Sequence, residues 1–181
     1  MDPEGKTVPP YTNIRLKGKQ GIRDVMALYQ QEPISNHRSL ETHIFQISGA
    51  GDHGTVEWVS MADNRTSVFV PYEPMATTEV FGSFHAETAM PEHTEERPAK
   101  GLCYRMKNGT WGLYPEGWRD SWYWVFSMLE HIAREDEAAG VYIRERMDTL
   151  QDEICASGVT GNPAAETCWR TALDLLTEFG R

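Results

Sequence analysis

The densest group of titratable side chains in the 181-residue sequence lies in one polar, proline-broken segment. It contains two histidines and four glutamates: His85, Glu87, Glu92, His93, Glu95 and Glu96. Imidazole and carboxylate groups could bind a metal ion or form an acidic lid over a site. No helical spacing places these side chains on one face, so no coordination geometry follows from the sequence. We therefore expect a solvated loop with no metal ion and no cofactor.

The cysteine and histidines that could act as a nucleophile or a base can each be explained by a structural role instead. Cys103 has no neighbouring base in the sequence, which favours a buried or spare thiol over a nucleophile. His43 lies inside the apolar run ETHIFQ and fits a core or edge position, while His131 ends a helical stripe and should be partly exposed. The tryptophans of WRDSWYWVF follow helical spacing, which favours the core over ligand stacking. The strong short motifs for nucleotide binding and hydrolysis are absent.

Composition and charge exclude several classes of function. Hydrophobic residues make up 40% and charged residues 24% of the chain, as in an ordinary globular protein. The net charge of −10 disfavours binding to nucleic acid or to an anionic membrane surface. No apolar window reaches the ~18–20 residues that span a bilayer. Three cysteines without CxxC spacing indicate reduced thiols, so we expect a cytoplasmic protein.

The order of the periodic segments predicts strands first and helices last. Residues 1–20 are an irregular lead-in, and residues 21–72 contain one helix and three strands. Residues 73–117 form a long loop region with one further hairpin, and residues 118–181 are helical. We expect all of these segments to form a single domain. The predicted fold class is α+β, with an antiparallel sheet covered by helices.

The expected sheet contains a strand that is apolar on both faces. The three strands are predicted at Glu41 to Ser48, Thr55 to Met61 and Thr66 to Tyr72. The last two should form a hairpin across Asp63 and Asn64, residues that tolerate positive φ. Val68, Phe69 and Val70 are consecutive and apolar, and successive side chains of a strand point to opposite faces. Burial of both faces is therefore predicted at TSVFVPY.

Helix signals flank this sheet on both sides. The first helix, in IRDVMALYQQ, has an apolar face at i, i+3, i+4 and i+7. A second helix is capped by Asp120 or Ser121, and Gly140 divides it from a third. Asn162 and Pro163 begin the last helix. Its inward face is predicted to carry Trp169, Ala172, Leu173 and Leu176.

Three segments of the chain, taken in order, resemble a known enzyme family. The segments are ISNHRSLETHIFQI, WVSMADNRTSVFVPYEP and WRDSWYWVFSMLEH. They resemble successive blocks in the C-terminal half of bacterial cysteine dipeptidases, the dipeptidase A family. That family is similar to the secernins and, more distantly, to choloylglycine and penicillin V acylases, all N-terminal-nucleophile hydrolases. The likeness implies a peptide hydrolase built as an αββα sandwich, in which two antiparallel sheets stack between helical layers.

The resemblance also implies a nucleophile that this chain does not carry. The family uses an N-terminal cysteine whose own α-amino group acts as the base. This chain begins Met1-Asp2-Pro3, and its first cysteine is Cys103. We therefore expect a C-terminal portion of a larger dipeptidase, without catalytic residues and inactive alone. Its expected partners are the missing N-terminal part, a peptide substrate in the full-length protein, and further copies in a homo-oligomer.

A few polar residues are candidates for contact with the substrate. By resemblance to the acylase branch, Arg15 and the link Ser35-Asn36-His37-Arg38 approach the substrate carboxylate or oxyanion. Arginine suits a carboxylate through paired hydrogen bonds, and asparagine can donate to an oxyanion. Arg15, Asn36 and His37 are therefore the substrate-proximal candidates. Ordinary turn and surface positions are the alternative.

Two other classes of function stay open at this point. One is a non-catalytic interaction or scaffold domain, whose acidic loop and aromatic helix bind a partner. The other is a metal-dependent hydrolase that uses the titratable segment between residues 85 and 96. The upstream reading frame separates the first class from the dipeptidase, because only a dipeptidase requires an additional cysteine there.

Overall fold

The computed structural model describes residues 18–31, 34–35, 41–47, 54–88, 93–105 and 109–181. Its helices are α1 (Ile22–Tyr29), α2 (Trp122–Glu135), α3 (Glu137–Ser157) and α4 (Asn162–Glu178). Its strands are β1 (Glu41–Ile47), β2 (Thr55–Met61), β3 (Val70–Tyr72), β4 (His93–Thr94), β5 (Cys103–Arg105) and β6 (Trp111–Leu113). Short 3₁₀ helices occupy Gly82–His85 and Trp118–Asp120. Helices together with antiparallel sheets confirm the α+β class.

The first sheet is antiparallel and has the order β1-β2-β3. β1 pairs with β2 along its whole length, from Glu41 opposite Met61 to Ile47 opposite Thr55. β3 is shorter than predicted, because the residues from Thr66 to Phe69 lie in the connection that precedes it. Between β2 and β3 the residue with a positive backbone φ is Ala62, at 66°. The sequence had favoured Asp63 and Asn64 for this conformation.

A side-chain amide explains why the third strand begins late. Phe69 N–H donates to Gln151 Oε1 at 2.6 Å, and Gln151 Nε2 donates to the Phe69 carbonyl at 3.0 Å. The buried amide of α3 thus satisfies both backbone groups that a strand ladder would otherwise use. The predicted burial is nevertheless confirmed, since Val68, Phe69 and Val70 are all fully buried.

A second small sheet lies in the region expected to be mainly loop. It is antiparallel with the order β4-β6-β5, and its β5–β6 pair is the predicted additional hairpin. Gly112 allows the close approach of a ring, because a Cβ atom there would lie 2.5 Å from Tyr104. Periodicity could not reveal this sheet, since its strands are only two or three residues long.

The helices are divided at Asp136 rather than at the predicted Gly140. Asp136 Oδ1 accepts hydrogen bonds from Ala138 N–H at 2.9 Å and Ala139 N–H at 3.1 Å, so it caps α3. Gly140 lies inside α3, where a Cβ atom would stand 2.7 Å from the Ala133 carbonyl oxygen. This glycine therefore permits close packing of α2 and α3 instead of ending a helix.

The hydrophobic core joins the helices to the sheet through aromatic side chains. Trp122 stacks on Phe126 and Trp169, with ring centroids 4.7 and 5.8 Å apart. The expected core position of the α2 tryptophans is confirmed, since Trp122 and Trp124 are buried. α4 has its predicted inward face, because Ala172 and Leu176 are buried while Trp169 and Leu173 are partly buried against the core. Its buried residues are Ala164, Ala165, Cys168, Ala172, Leu175 and Leu176.

Candidate functional site

Buried polar side chains concentrate in the segment that joins β2 to β3. Residues 60–67, which we name the polar connection, bury five of them: Ser60, Asp63, Asn64, Thr66 and Ser67. Such groups are costly to bury unless they find hydrogen-bond partners. The polar connection is therefore the candidate functional site of the described chain.

Asp63 is the charged centre of the polar connection. Arg65 Nε donates to Asp63 Oδ1 at 2.9 Å, and the Arg65 backbone N–H donates to the same oxygen at 3.0 Å. Ser35 Oγ donates to it at 3.4 Å. Burial alone would raise the pKa of Asp63, but the hydrogen bonds and charge of Arg65 outweigh burial and lower it. Asp63 is therefore a carboxylate held in its ionised form.

Asn64 fixes the polar connection to two neighbouring elements. Its Nδ2 donates to Thr42 Oγ1 at 2.9 Å and to the Tyr29 carbonyl at 3.3 Å. Asn64 Oδ1, Ser60 Oγ and Ser67 Oγ are buried and have no hydrogen-bond partner among the described residues. Buried polar atoms normally find one. A buried water molecule could donate a hydrogen bond to each of these oxygens.

Glu130 on α2 adds a second carboxyl group near Asp63. Burial raises the pKa of Glu130, and the charge of Asp63 raises it further, while Arg134 acts in the opposite direction. Arg134 Nη1 lies 3.4 Å from Glu130 Oε1. The two carboxyl groups thus have pKa values shifted in opposite directions. This difference is typical of pairs in which one group keeps its charge and the other holds a proton.

His131 is buried, so its expected partial exposure is wrong. Its ring meets Tyr104 of β5 at a centroid distance of 6.4 Å, because the second sheet covers this face of α2. His131 Nε2 lies 3.4 Å from Glu135 Oε1, and no described residue forms a hydrogen bond with His131 Nδ1. Burial lowers the pKa of His131. The neutral imidazole is therefore the favoured form.

The predicted substrate-proximal residues Arg15, Asn36 and His37 lie outside the described residues. Ser35 belongs to the same polar link and is described. It is buried, and its hydroxyl contacts Asp63. The described end of the link therefore lies against the polar connection.

The titratable segment proposed as a metal site forms no such site in the described part of the chain. Across residues 54–88, 93–105 and the other described ranges, no group of three His, Cys, Asp or Glu residues could bind a metal ion. His93 is exposed, and its Nε2 lies 3.4 Å from Tyr104 Oη. His43 Nδ1 lies 2.7 Å from Glu57 Oε1, which agrees with the expected edge position in the sheet.

A cleft of the described chain lies away from these charged groups. It has a volume of about 290 Å³ between the segment after β3 and the start of α4. Thr160 Oγ1 donates to Glu73 Oε1 at 3.1 Å on its wall. Since the buried unpartnered oxygens and the paired carboxyl groups lie elsewhere, we place the candidate site at the polar connection.

Sequence reasoning missed the charge interaction of Asp63 with Glu130 and the hydrogen bonds of Gln151 to Phe69. The closeness of Asp63 and Arg65 in the chain was a visible signal for an ion pair. The contact between Gln151 and Phe69 spans 82 residues, and no local pattern indicates it. The site therefore depends on tertiary packing that local periodicity does not encode.

Comparison with known proteins gives no relative for this chain. Searches of protein-family models, curated proteins and solved structures found no significant match. None of the described helices combines the length and the apolarity needed to cross a bilayer. Function is therefore inferred from the residues and contacts given above.

Proposed function

We propose that this chain forms the C-terminal part of a cysteine dipeptidase of the N-terminal-nucleophile class. The enzyme hydrolyses the amide bond of short peptides through an acyl-enzyme on a cysteine outside these 181 residues. Three sequence blocks in family order support the proposal. They are ISNHRSLETHIFQI, WVSMADNRTSVFVPYEP and WRDSWYWVFSMLEH.

The observation that carries this proposal is that one face of β1, in the first sheet, is buried while its other face is exposed. Ile44 of β1 is buried, whereas Phe45 and Ile47, on the opposite face, are 58% and 77% exposed. Val70 at the other side of the sheet is fully buried. One layer of an αββα sandwich has this character when its second sheet is supplied by another part of the protein. In this proposal the nucleophile and the sheet that stacks on β1-β2-β3 belong to the same further segment of the protein.

The polar connection is the proposed substrate-facing part of this chain. Asp63 stays ionised and holds Arg65 in place, so the connection is ordered before a ligand binds. Ser35, the described residue of the link, donates a hydrogen bond to Asp63, which supports a role for the link in the same site.

The cysteines of this chain are not proposed as nucleophiles. Burial raises the pKa of Cys168 to about 12 and also raises the pKa of Cys155. Cys103 lies in β5 opposite Leu113, and its backbone amine is part of the chain rather than a free base. All three thiols are free, which supports a reducing, cytoplasmic location.

The test compares hydrolysis by two polypeptides. The purified 181-residue chain is expected to leave a panel of dipeptides intact. The same chain joined to its upstream reading frame should hydrolyse them, and alanine in place of the first cysteine of the processed protein should abolish turnover. Turnover by the 181-residue chain alone, lost on Cys103→Ala, would contradict the proposal.

A non-catalytic interaction domain is the second candidate. The exposed edge strand β1 favours it, because such strands recruit partner strands. Arg97 and Arg105 also lie over the Trp111 ring, at 5.2 and 5.9 Å from its centroid, on the second sheet. A genuine start codon with a ribosome-binding site directly before Met1, and no upstream cysteine, would select this function.

A further inference from the structure

Strand β1 is an edge strand without the usual protection against pairing. In the described part of the chain it pairs only with β2, and its seven residues pair without a bulge. Its sequence, ETHIFQI, contains neither proline nor lysine. Natural edges are normally blocked by such residues, by bulges or by shortness. β1 is therefore open to a further strand.

The side chains of β1 make this edge apolar on its exposed face. Glu41, His43, Phe45 and Ile47 share one face, because successive side chains alternate. Phe45 and Ile47 are among the most exposed large hydrophobic residues of the chain. His43 Nδ1 lies 2.7 Å from Glu57 Oε1 of β2, which leaves Phe45 and Ile47 as the main uncovered groups of this face.

We propose that β1 pairs antiparallel with β1 of a second copy, about a two-fold axis at Ile44. Ile44 then lies opposite Ile44 of the second copy, and His43 opposite Phe45. Glu41 lies opposite Ile47, and Thr42 opposite Gln46. All seven residues of each strand are paired, and one six-stranded antiparallel sheet runs through both copies.

Charge and strand geometry select this register. With Ile44 on the two-fold axis, the numbers of each pair of opposite residues add to 88, so both numbers are odd or both are even. The side chains of each pair therefore lie on the same face of the sheet, and their backbone groups point in matching directions for hydrogen bonding. The two Glu41 carboxylates lie at opposite ends of the paired strands, about 20 Å apart. Neither carboxylate faces another charge, and each Phe45 covers a His43. A parallel pairing would instead place Glu41 beside Glu41, which is unfavourable.

The expected dimer is weak and is strengthened by salt. One strand pair with four exposed side chains lies at or below the about 1,200 Å² typical of transient interfaces. We therefore expect a dissociation constant of about 10 µM or weaker. Each copy carries a net charge of −10, and salt screens the repulsion between the copies. Association should consequently increase between about 20 mM and about 500 mM sodium chloride.

Sedimentation velocity of the whole chain tests this surface. We expect a monomer to become a dimer between about 5 µM and about 500 µM protein. Phe45→Lys and Ile47→Lys should keep the chain monomeric over that range. Met75→Lys is the matched control, because Met75 is exposed outside the strands. Circular dichroism melts establish that the three variants are folded.

Two outcomes would overturn the proposal. One is a wild-type chain that stays monomeric to the highest concentration in both salts. The other is a dimer that persists equally in the two β1 variants and in Met75→Lys. Neither outcome bears on the dipeptidase proposal, which is tested by separate measurements of hydrolysis and of Phe45→Ala stability.

The register has its own test. A spin label on Glu41→Cys, with Cys103 and Cys155 replaced by serine, reports the distance between copies; Cys168 is buried and remains. The antiparallel register predicts Cα atoms about 20 Å apart, and a parallel pair predicts about 5 Å. The short distance would contradict the proposed two-fold arrangement.

Discussion

The neighbouring segments TSVFVPY and ETHIFQI have similar apolar content but very different environments. In the first, Val68, Phe69 and Val70 are each 0% exposed. In the second, Ile44 is buried while Phe45 and Ile47 face solvent. Composition alone does not distinguish the two segments. Burial is set by which layers cover each position, and the uncovered positions indicate where a further layer or partner belongs.

The two segments differ in which elements of the fold pack against them. α3 reaches the first segment through Gln151, and α4 reaches β3 through Asn162 Oδ1, which accepts from Tyr72 Oη at 3.4 Å. β1 lies at the far side of the sheet, where β2 is its only described neighbour. The first segment is therefore closed by this chain, whereas the second remains open.

Phe69→Ala should give the largest loss of stability. The ring is fully buried, and emptying a buried aromatic site costs about 3–5 kcal/mol in the free energy of unfolding. Denaturant melts provide the measurement. Val68→Ala and Val70→Ala should each cost about 1.5–3 kcal/mol, because both faces are dry. Losses of stability that alternate between large and small along residues 68–70 would contradict burial on both faces.

Gln151→Met should come next, with a loss of about 2–4 kcal/mol in the free energy of unfolding. The substitution keeps the approximate volume but leaves the Phe69 N–H and carbonyl without partners. Glu153→Met, on the exposed face of α3, is the matched control and should change stability by less than about 0.5 kcal/mol. Equal effects of both substitutions would show that the amide contact contributes nothing specific.

Asp63→Asn should lower the free energy of unfolding by about 1–3 kcal/mol at neutral pH. The folded state lowers the pKa of Asp63 from 3.8, so its stabilisation is present above that value and lost as pH falls further. The difference between wild type and variant should shrink below about pH 4 in melts across pH. A constant difference down to pH 2 would contradict the stabilising role of the ionised carboxylate.

The contribution of Glu130 to stability should have the opposite pH dependence in the same series of melts. Its pKa is raised in the folded state, so its protonated form stabilises at low pH and that contribution is lost as pH rises through the raised value. Glu130→Gln should therefore match or slightly exceed the wild type at neutral pH, by at most about 1 kcal/mol. A clear loss of stability would mean that Glu130 is charged and paired.

Ile47→Ala should give the smallest effect. Its side chain is largely exposed, so at concentrations below dimer formation the free energy of unfolding should change by less than about 0.5 kcal/mol. Denaturant melts at about 1 µM protein are the measurement. A loss comparable to that of Val70→Ala would mean that the outer face of β1 is already covered within this chain.

Much of the fold could be predicted from the sequence, because amphipathic spacing marks long elements. The predictions of β1, β2 and the start of α4 at Asn162 are confirmed. The β5–β6 hairpin was also predicted, whereas strand β4 was not, since two residues carry no period. The division at Asp136 was not predicted either, because a cap competes with a nearby glycine.

The candidate site could be predicted only in part. The substrate-proximal candidates Arg15, Asn36 and His37 lie outside the described residues and stay predictions, while the neighbouring Ser35 lies against Asp63. Glu130 and Gln151 come from helices more than 60 residues further along the chain. Their roles depend on how layers pack, which one sequence without relatives does not specify.

The free energy of unfolding of Phe45→Ala in two contexts tests the central claim most directly. In the 181-residue chain at low concentration, the substitution should cost less than about 0.5 kcal/mol, because the ring is more than half exposed. In the polypeptide extended by the upstream reading frame, the second sheet of the sandwich should cover this ring. The same substitution should then cost about 3 kcal/mol or more. Equal, small losses in both contexts would contradict the account of this chain as one layer of a larger dipeptidase.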